Sequence, residues 1–348
     1  LYRNMADKNK IQPNEVPEGY VNQGWSWEEV MPISAAPEIE NTDYYQTHFG
    51  IESPFSYKLR RLDQGDQRWY MYTDEALDIR YCMSATTFSS MSLGIGIELA
   101  KYMQEMGKAA ADLHKYYAAE YGTFFHIEAS KALRAQEYDF GANGFVAEMR
   151  VTEWMEKKKI PMHEKWYFLR RFYKDMASLL MFMEERNVKL IGVEFPLVSY
   201  KYDLACCVDL IAEMDWQGTR KNIILDFKTG AHFFKEHVLQ LELYRMMWNE
   251  HFGDIIPVDL IFNWRPNAFR LGNKPSYTLK NQTDQGVDTE GRIMTAIMEG
   301  AFDKQPRAQF ILEGKYEVGG KKSVEQNIKI LDFEILYKNE LENATKKA

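Results

Sequence analysis

The sequence predicts an α/β fold, because apolar runs rich in β-forming residues are separated by segments whose apolar residues recur at helical spacing. The clearest strands are the two apolar runs of residues 204–230, LACCVDLIAEMDWQGTRKNIILDFKTG, and helical patterns lie on both sides of them. A chain of 348 residues, 45% apolar and 14% aromatic, can bury the core that such a fold requires.

The first part of the chain predicts additions to this fold. Residues 1–54 are polar and interrupted by proline, which predicts an N-terminal extension whose scattered aromatic rings pack on the body or bind a partner. Residues 55–83 form a small strand-rich segment, in which SYKLRR and QRWYMYT predict two strands and ALDIRYCM a third. Residues 84–87, rich in Ser and Thr, predict the cap of a long helical region.

A histidine follows this helical region at a defined place. Gly122 predicts the end of the helix, Thr123 the N-cap of a second helix, and His126 a position in its first turn. A histidine in such a turn is more often structural than a ligand, so both roles stay open on this pattern alone.

The segment between His126 and the hairpin predicts a helix and a strand. Residues 157–159 form a basic run, which predicts a solvated face, with a DNA-backbone contact as the alternative. Residues 165–186 predict an amphipathic helix with Arg170 and Arg171 on its polar side. The apolar run NVKLIGVEFPLVS predicts a strand that carries Glu194, either into the sheet of the hairpin or at an exposed edge.

The two runs of residues 204–230 predict an antiparallel hairpin that brings Asp209 near Asp226. Asp226 and Lys228 project from the same face, with the carbonyl group of Phe227 between them, because side chains alternate along a strand. A buried group of like charges is costly unless a cation compensates it, and carboxylate and carbonyl oxygens suit a hard divalent cation. The hairpin therefore predicts a Mg²⁺ or Mn²⁺ site.

The rest of the chain continues the alternation of helices and strands. HVLQLELYRMMWNEHFG predicts a helix with Gln240 and Tyr244 on one face. VDLIFNWRP and PSYTLKN predict strands, VDTEGRIMTAIMEGAF a helix, and residues 313–348 a C-terminal amphipathic helix.

Composition and charge exclude several classes of protein. A formal net charge of −8 argues against a protein that coats nucleic acid non-specifically, though not against a nuclease with a local basic groove. The three cysteines, Cys82, Cys206 and Cys207, cannot supply the four thiolates of an iron–sulfur cluster, so reduced core thiols are expected. The sequence shows neither a membrane-span pattern nor a secretion signal, which predicts a soluble cytoplasmic protein.

The order of these motifs is similar to that of the PD-(D/E)XK nuclease superfamily. GTxxH, a glutamate, an aspartate, DxK and QxxxY follow one another between about residues 84 and 264, and this order resembles the RecB-like exonuclease branch, including phage-encoded members. The resemblance implies a restriction-endonuclease-like core with a mixed central sheet flanked by helices, over residues 84–312, with N- and C-terminal additions. It implies these site residues: His126, Asp209 and Asp226 as metal ligands together with the Phe227 carbonyl; Glu194 as an additional acid; Lys228 as the catalytic lysine; and Gln240 and Tyr244 as substrate contacts.

What the resemblance implies is a DNA exonuclease that uses Mg²⁺ or Mn²⁺ and no iron–sulfur cluster. DNA is then the expected partner, with a phage recombination or replication protein as a candidate second partner and the host cell cytoplasm as the site of action. A non-catalytic nucleic-acid-binding or scaffolding protein, a sequence-specific endonuclease and a structural ion-pair cluster in an unrelated protein are the alternatives.

Overall fold

The structure is a computed structural model, and it describes residues 51–299 apart from residues 52, 56–58, 65–66, 74–78, 94–103, 106, 158–159, 231 and 268–273. Outside that range it describes the backbone of four short strands. The strands are β1 (Ile39–Glu40), β2 (Thr47–His48), β3 (Arg60–Gln64), β4 (Gln67–Thr73), β5 (Ile79–Ser84), β6 (Lys189–Ser199), β7 (Leu204–Trp216), β8 (Thr219–Phe227), β9 (Leu260–Pro266), β10 (Tyr277–Asn281), β11 (Phe310–Leu312) and β12 (Ile328–Ile330). The helices are α1 (Ala85–Leu93), α2 (Lys108–Ala135), α3 (Ala142–Lys157), α4 (Lys165–Glu185), α5 (Lys235–Phe252) and α6 (Thr289–Met298).

A mixed ten-stranded sheet is the centre of the described part of the chain. Its strands follow the order β1-β3-β4-β5-β7-β8-β9-β10, and β6 pairs with both β2 and β7. The β5–β7 and β8–β9 pairs are parallel, whereas the other pairs are antiparallel. The strands of residues 60–84 thus belong to the same sheet as the hairpin, because β5 joins them to β7.

The sheet branches at β7. β6 pairs with β7 along one edge, from Leu204 to Glu213. On the other edge β5 pairs only with Leu204 and Ala205, and β8 pairs only from Leu210 onward. The residues of β7 between these two pairings, including Asp209, therefore lie in a fork where the backbone of β8 diverges from β7.

Helices cover both faces of the sheet. Helices α2, α3 and α4 pack on one face in a core that contains Phe125, Phe227 and Trp264, which we call the α2-side core. Helix α5 packs on the other face in a core that contains Tyr244 and Trp248, which we call the α5-side core. The protein is therefore an α/β structure with a mixed central sheet between helices. Among the described residues, no helix combines the length and the apolar composition that a membrane span requires.

The predicted hairpin is confirmed. β7 and β8 pair in antiparallel register from Leu210–Leu225 to Trp216–Thr219. Gln217 and Gly218 form the two-residue turn with φ of 49° and 78°. Positive φ at both central residues is typical of the tight turns whose twist matches that of paired strands.

The predicted helix break at Gly122 is wrong. Helix α2 runs through this position without interruption, and the Thr123 hydroxyl group donates to the carbonyl oxygen of Ala119 instead of capping a new helix. A Cβ atom at Gly122 would lie 3.3 Å from the Thr229 hydroxyl oxygen. Glycine is therefore suited to this place because the segment after β8 passes close to the helix.

The predicted C-terminal helix is wrong where the structure describes it. A helix over residues 313–348 is wrong at residues 328–330, where Ile-Lys-Ile forms β12 and pairs with β11, as expected of a period-two pattern. The rest of that segment lies outside the described residues.

Helix α4 is confirmed, but Arg171 is not on a polar face, because its side chain is only 13% exposed. Two strands of the N-terminal extension, β1 and β2, pair with β3 and β6.

Candidate metal centre

Asp209 occupies the fork between β7 and β8. The backbone N–H of Phe227 donates to Asp209 Oδ2 at 2.6 Å, which replaces the strand pairing that the fork interrupts. The other oxygen, Oδ1, lies 3.3 Å from Nδ1 of His126. The carboxylate is buried and joins β7, β8 and α2.

Glu194 lies beside Asp209 in the β6–β7 ladder, between the pairs Val193–Leu210 and Phe195–Val208. Its φ of 48° is in the left-handed region, which is uncommon for a residue with a side chain and costs roughly 1–3 kcal/mol. Val193 belongs to the α2-side core and Phe195 to the α5-side core. Because residues two apart in a regular strand face the same side, the strand changes faces at Glu194.

The neighbouring strand changes faces at the same level. Val208 belongs to the α5-side core and Leu210 to the α2-side core, with Asp209 between them. Two adjacent strands thus interrupt their alternation at the two buried acids. Local backbone strain of this kind persists where the surrounding structure holds it, and it is frequent at functional sites.

His126 reaches these acids from the middle of α2. Its Nε2 lies 3.1 Å from the carbonyl oxygen of Phe227, and its Nδ1 faces Asp209. Burial on its own would lower the pKa of His126, but the carboxylates of Asp209 and Glu194 raise this pKa to about 9. Without a metal ion, a protonated imidazole therefore compensates part of the negative charge.

The two carboxylates respond differently to this environment. Burial, followed by the Asp209 charge, raises the pKa of Glu194 to about 7. Burial acts in the same direction on Asp209, but the His126 ring, the Lys228 ammonium group and the Phe227 N–H together hold the pKa of Asp209 below its usual value. The Cys207 thiol group donates to Glu194 Oε2 at 3.4 Å. A thiol is a weak donor, so it compensates little of the charge on Glu194.

Three ligand atoms, one each from His126, Glu194 and Asp209, lie within 4.8 Å of one another, and we call these residues the three-ligand cluster. Opposite ligands of Mg²⁺ or Mn²⁺ are separated by roughly 4.2 Å, twice a metal–oxygen bond. Ligand atoms that lie within 4.8 Å of one another are thus close to the spacing that one shared ion requires. Two buried carboxylates and one imidazole are a donor set that suits a divalent cation.

A second group consists of Asp226, Lys228 and Asn263, and we call it the ammonium cluster. Lys228 Nζ donates to Asp226 Oδ1 at 2.6 Å, as the same-face prediction requires. The Asn263 side-chain amide donates to Asp226 Oδ2 at 2.7 Å. Burial raises the pKa of Asp226 to about 6, although the Lys228 ammonium opposes this effect. Both oxygens of Asp226, which we predicted as a metal ligand, therefore have nitrogen donors.

Gln240 and Tyr244 extend the hydrogen-bond network of Lys228. Lys228 Nζ also donates to Gln240 Oε1 at 3.3 Å, and the Gln240 amide contacts the hydroxyl oxygens of Tyr244 and Thr86. Gln240 and Tyr244 are both buried. The predicted pair thus shares one face of α5: Gln240 contacts Lys228, and the Tyr244 hydroxyl group contacts Gln240.

Three residues of this region were not predicted from the sequence as part of the site: Asn263, Gln282 and Arg171. Asn263 holds Asp226 and receives a hydrogen bond from the Gln282 amide at 2.9 Å, and both are fully buried. Arg171 donates to the Thr229 carbonyl oxygen at 2.8 Å and lies over the Tyr121 ring. A polar residue within the apolar run LIFNWRP was the available signal for Asn263, since buried polar groups need partners.

Comparison of the sequence with protein-family models found no matching family, and comparison with curated proteins found no match. The function of the chain has to be inferred from the residues of the site itself.

Proposed function

We propose that this chain is a metal-dependent deoxyribonuclease with a PD-(D/E)XK-type core, and that it acts as an exonuclease on DNA ends. The observation that carries the proposal is the three-ligand cluster at the fork of the sheet, with the Lys228 ammonium group beside it. Buried carboxylates and a histidine can hold the divalent cation that assists phosphodiester hydrolysis, and an adjacent lysine can stabilise the negative charge that develops there. A place in phage replication, recombination or end processing stays a prediction of the resemblance.

The donor set supports Mg²⁺ or Mn²⁺ at the three-ligand cluster. His126, Glu194 and Asp209 would hold the ion, with His126 giving up the proton that compensates the acids without metal. When bound, the cation supplies charge neutralisation at phosphate oxygens and a water molecule of lowered pKa. Asp226 would join the ion by exchanging Lys228 or Asn263 for it.

Lys228 has the geometry of an orienting cation. Asp226 and Gln240 hold its ammonium group from two sides, at 2.6 and 3.3 Å, which leaves one N–H direction for a water molecule or a phosphate oxygen. A hydrogen-bond donor held in place before the reaction stabilises charge that develops in the transition state. We propose that Lys228 orients the attacking water and stabilises the phosphorane-like charge, with Gln240 and Tyr244 maintaining its position.

The experiment that tests this function compares end-labelled linear DNA with closed circular DNA, in Mg²⁺, in Mn²⁺ and in EDTA. We expect the purified chain to digest the linear DNA with either metal, and not in EDTA. Lys228→Met should lose at least about 100-fold of this activity because the oriented donor is gone. The exposed lysine of the Lys201–Glu290 pair offers a matched control, Lys201→Met, with unchanged activity.

Three results separate the alternatives. Digestion of both DNA forms into discrete fragments would indicate a sequence-specific endonuclease. Metal-independent DNA binding without cleavage would indicate a non-catalytic nucleic-acid-binding protein. Cleavage that Lys228→Met leaves unchanged would refute the role given to this residue.

A further inference from the structure

The segment between Lys228 and helix α5 presents an aromatic ring next to the candidate site. It reads TGAHFF from Thr229 to Phe234, and the structure describes all of it except residue 231. Phe234 is 43% exposed, and its neighbours His232 and Lys235 are exposed as well. Exposed single apolar residues are common on protein surfaces, so exposure alone says little. The way in which this ring is held is more informative.

Both ends of the segment are attached to the body of the protein. Arg171 donates to the Thr229 carbonyl oxygen at 2.8 Å, which attaches the first end to α4. At the other end the Phe234 backbone N–H donates to Nδ1 of His237 at 3.2 Å, and the two rings meet edge to face at 5.4 Å between centroids. The exposed ring is therefore held in place, and an attached aromatic ring binds a partner with little loss of conformational entropy.

The His237 contact also relates the ring to Lys228. Burial, and after it the Lys228 ammonium charge, lower the pKa of His237 to about 3. The His237 ring is thus neutral, as it must be for Nδ1 to accept a hydrogen bond. It lies close enough to Lys228 for the ammonium charge to affect its pKa. The ring of Phe234 thus contacts a histidine that lies within the electrostatic range of Lys228, and Phe234 follows Lys228 by six residues along the chain.

Cationic groups accompany the aromatic residues of the segment. The guanidinium group of Arg265 lies over the Phe233 ring at 5.6 Å from its centroid, and Lys235 follows Phe234 directly. Aromatic faces that alternate with cations are what single-stranded nucleic acids require, because bases stack on the rings and phosphates contact the cations. An internal base of a duplex has both faces covered by its neighbours, and a blunt end exposes only the outer face of its last pair, so an exposed ring favours an unpaired base.

We propose that Phe234 is a stacking platform for an unpaired nucleobase next to the phosphodiester bond at the candidate site, so that the preferred substrate is a single-stranded DNA end. This inference rests on the proposed nuclease function. It adds to that function the strand form of the substrate and a residue that contacts the base.

The test measures binding of the full chain to single-stranded oligonucleotides in EDTA, where no cleavage occurs. Two oligonucleotides carry 2-aminopurine, one near the 5′ end and one near the 3′ end, because stacking on a ring quenches its fluorescence. We expect one of the two to be quenched by the wild-type chain. Phe234→Ala should abolish this quenching and weaken binding by about 5- to 150-fold, the range for loss of one stacked base.

Three further variants keep the result interpretable. Phe234→Leu retains apolar bulk without an aromatic face and should bind as weakly as Phe234→Ala, whereas Phe234→Trp should bind at least as tightly as wild type. Phe140→Ala is the matched control, since Phe140 is also 43% exposed but lies between α2 and α3, and it should leave binding unchanged.

The failures of the two proposals are distinguishable. A wild-type chain that digests DNA with metal, while Phe234→Leu and Phe234→Ala bind single strands as tightly as wild type, overturns the stacking role alone. Tighter binding of blunt duplex than of single strands by the wild-type chain overturns the preferred strand form. A chain that neither binds nor digests any DNA overturns the nuclease function together with this inference.

Discussion

The three-ligand cluster and the ammonium cluster lie at the end of the same strand pair, yet they compensate their buried charge in different ways. In the ammonium cluster, one carboxylate, that of Asp226, accepts hydrogen bonds from one ammonium group and one amide. The three-ligand cluster sets two carboxylates against one imidazole. Buried charges are stable only when they are paired, so the first cluster is complete within the chain and the second favours an added cation.

This comparison teaches which acid serves which purpose. Asp209 and Asp226 look equivalent in the sequence, since each ends an apolar run of the same hairpin. In the structure Asp209 accepts from the Phe227 N–H and faces His126, whereas Asp226 holds Lys228. We therefore assign metal binding first to Asp209 and lysine positioning first to Asp226.

The largest expected effect comes from removing the charge of Asp209. Asp209→Asn keeps an oxygen that can accept from the Phe227 N–H, but it removes a carboxylate ligand. We expect Mn²⁺ affinity, measured by isothermal titration calorimetry, to fall by about 100-fold or more. The control is Asp215→Asn, because Asp215 is an exposed acid on the same strand, and it should bind Mn²⁺ like wild type. Equal affinity of Asp209→Asn and wild type would remove Asp209 from the ligand set.

Breaking the ammonium cluster should affect stability and leave metal binding intact. Lys228→Met leaves the buried Asp226 carboxylate without its cation, which should lower the free energy of unfolding by about 3 kcal/mol, while Mn²⁺ affinity does not fall. The double variant Lys228→Met with Asp226→Asn should recover most of that stability, because no charge is left without a partner. Denaturant unfolding and calorimetry measure both quantities. A double variant no more stable than Lys228→Met would show that the pair is not the source of the effect.

The smallest expected effect concerns the backbone of Glu194. Glu194→Gly and Glu194→Ala remove the same carboxylate, but only glycine adopts the φ of 48° without strain. We expect the glycine variant to be more stable than the alanine variant by about 1 kcal/mol in denaturant unfolding, with Mn²⁺ binding weakened equally in both. Equal stability of the two variants would show that the left-handed conformation carries no strain.

Much of the sheet could be predicted from the sequence because its signals are local. Two apolar runs joined by a turn-forming segment that contains Gly218 predict β7 and β8, and helical spacing predicts α5 with Gln240 and Tyr244 on one face. The break at Gly122 could not be judged locally. Gly122 lies inside a continuous helix, and glycine suits this position because Thr229 passes close to it. That contact joins residues that are distant in the chain.

The candidate site could be predicted as a set of residues but not as an arrangement. His126, Glu194 and Asp209 come together as expected, although His126 lies in the middle of a continuous helix and not in the first turn that its local pattern predicts. The left-handed Glu194 and the change of faces at Asp209 have no counterpart in residue periodicity, since both result from the fork of the sheet. Asp209 is assigned to metal binding and Asp226 to positioning of Lys228. This difference depends on Asn263, which lies 37 residues after Asp226.

The most direct test of the account is the position of a bound metal ion. Crystals of the chain grown with Mn²⁺ can be measured for anomalous scattering at the manganese edge. We expect one strong peak within about 2.4 Å of a nitrogen of His126 and of one carboxylate oxygen each of Glu194 and Asp209. A peak elsewhere, or no peak at millimolar Mn²⁺, would contradict the assignment of this cluster as a metal site.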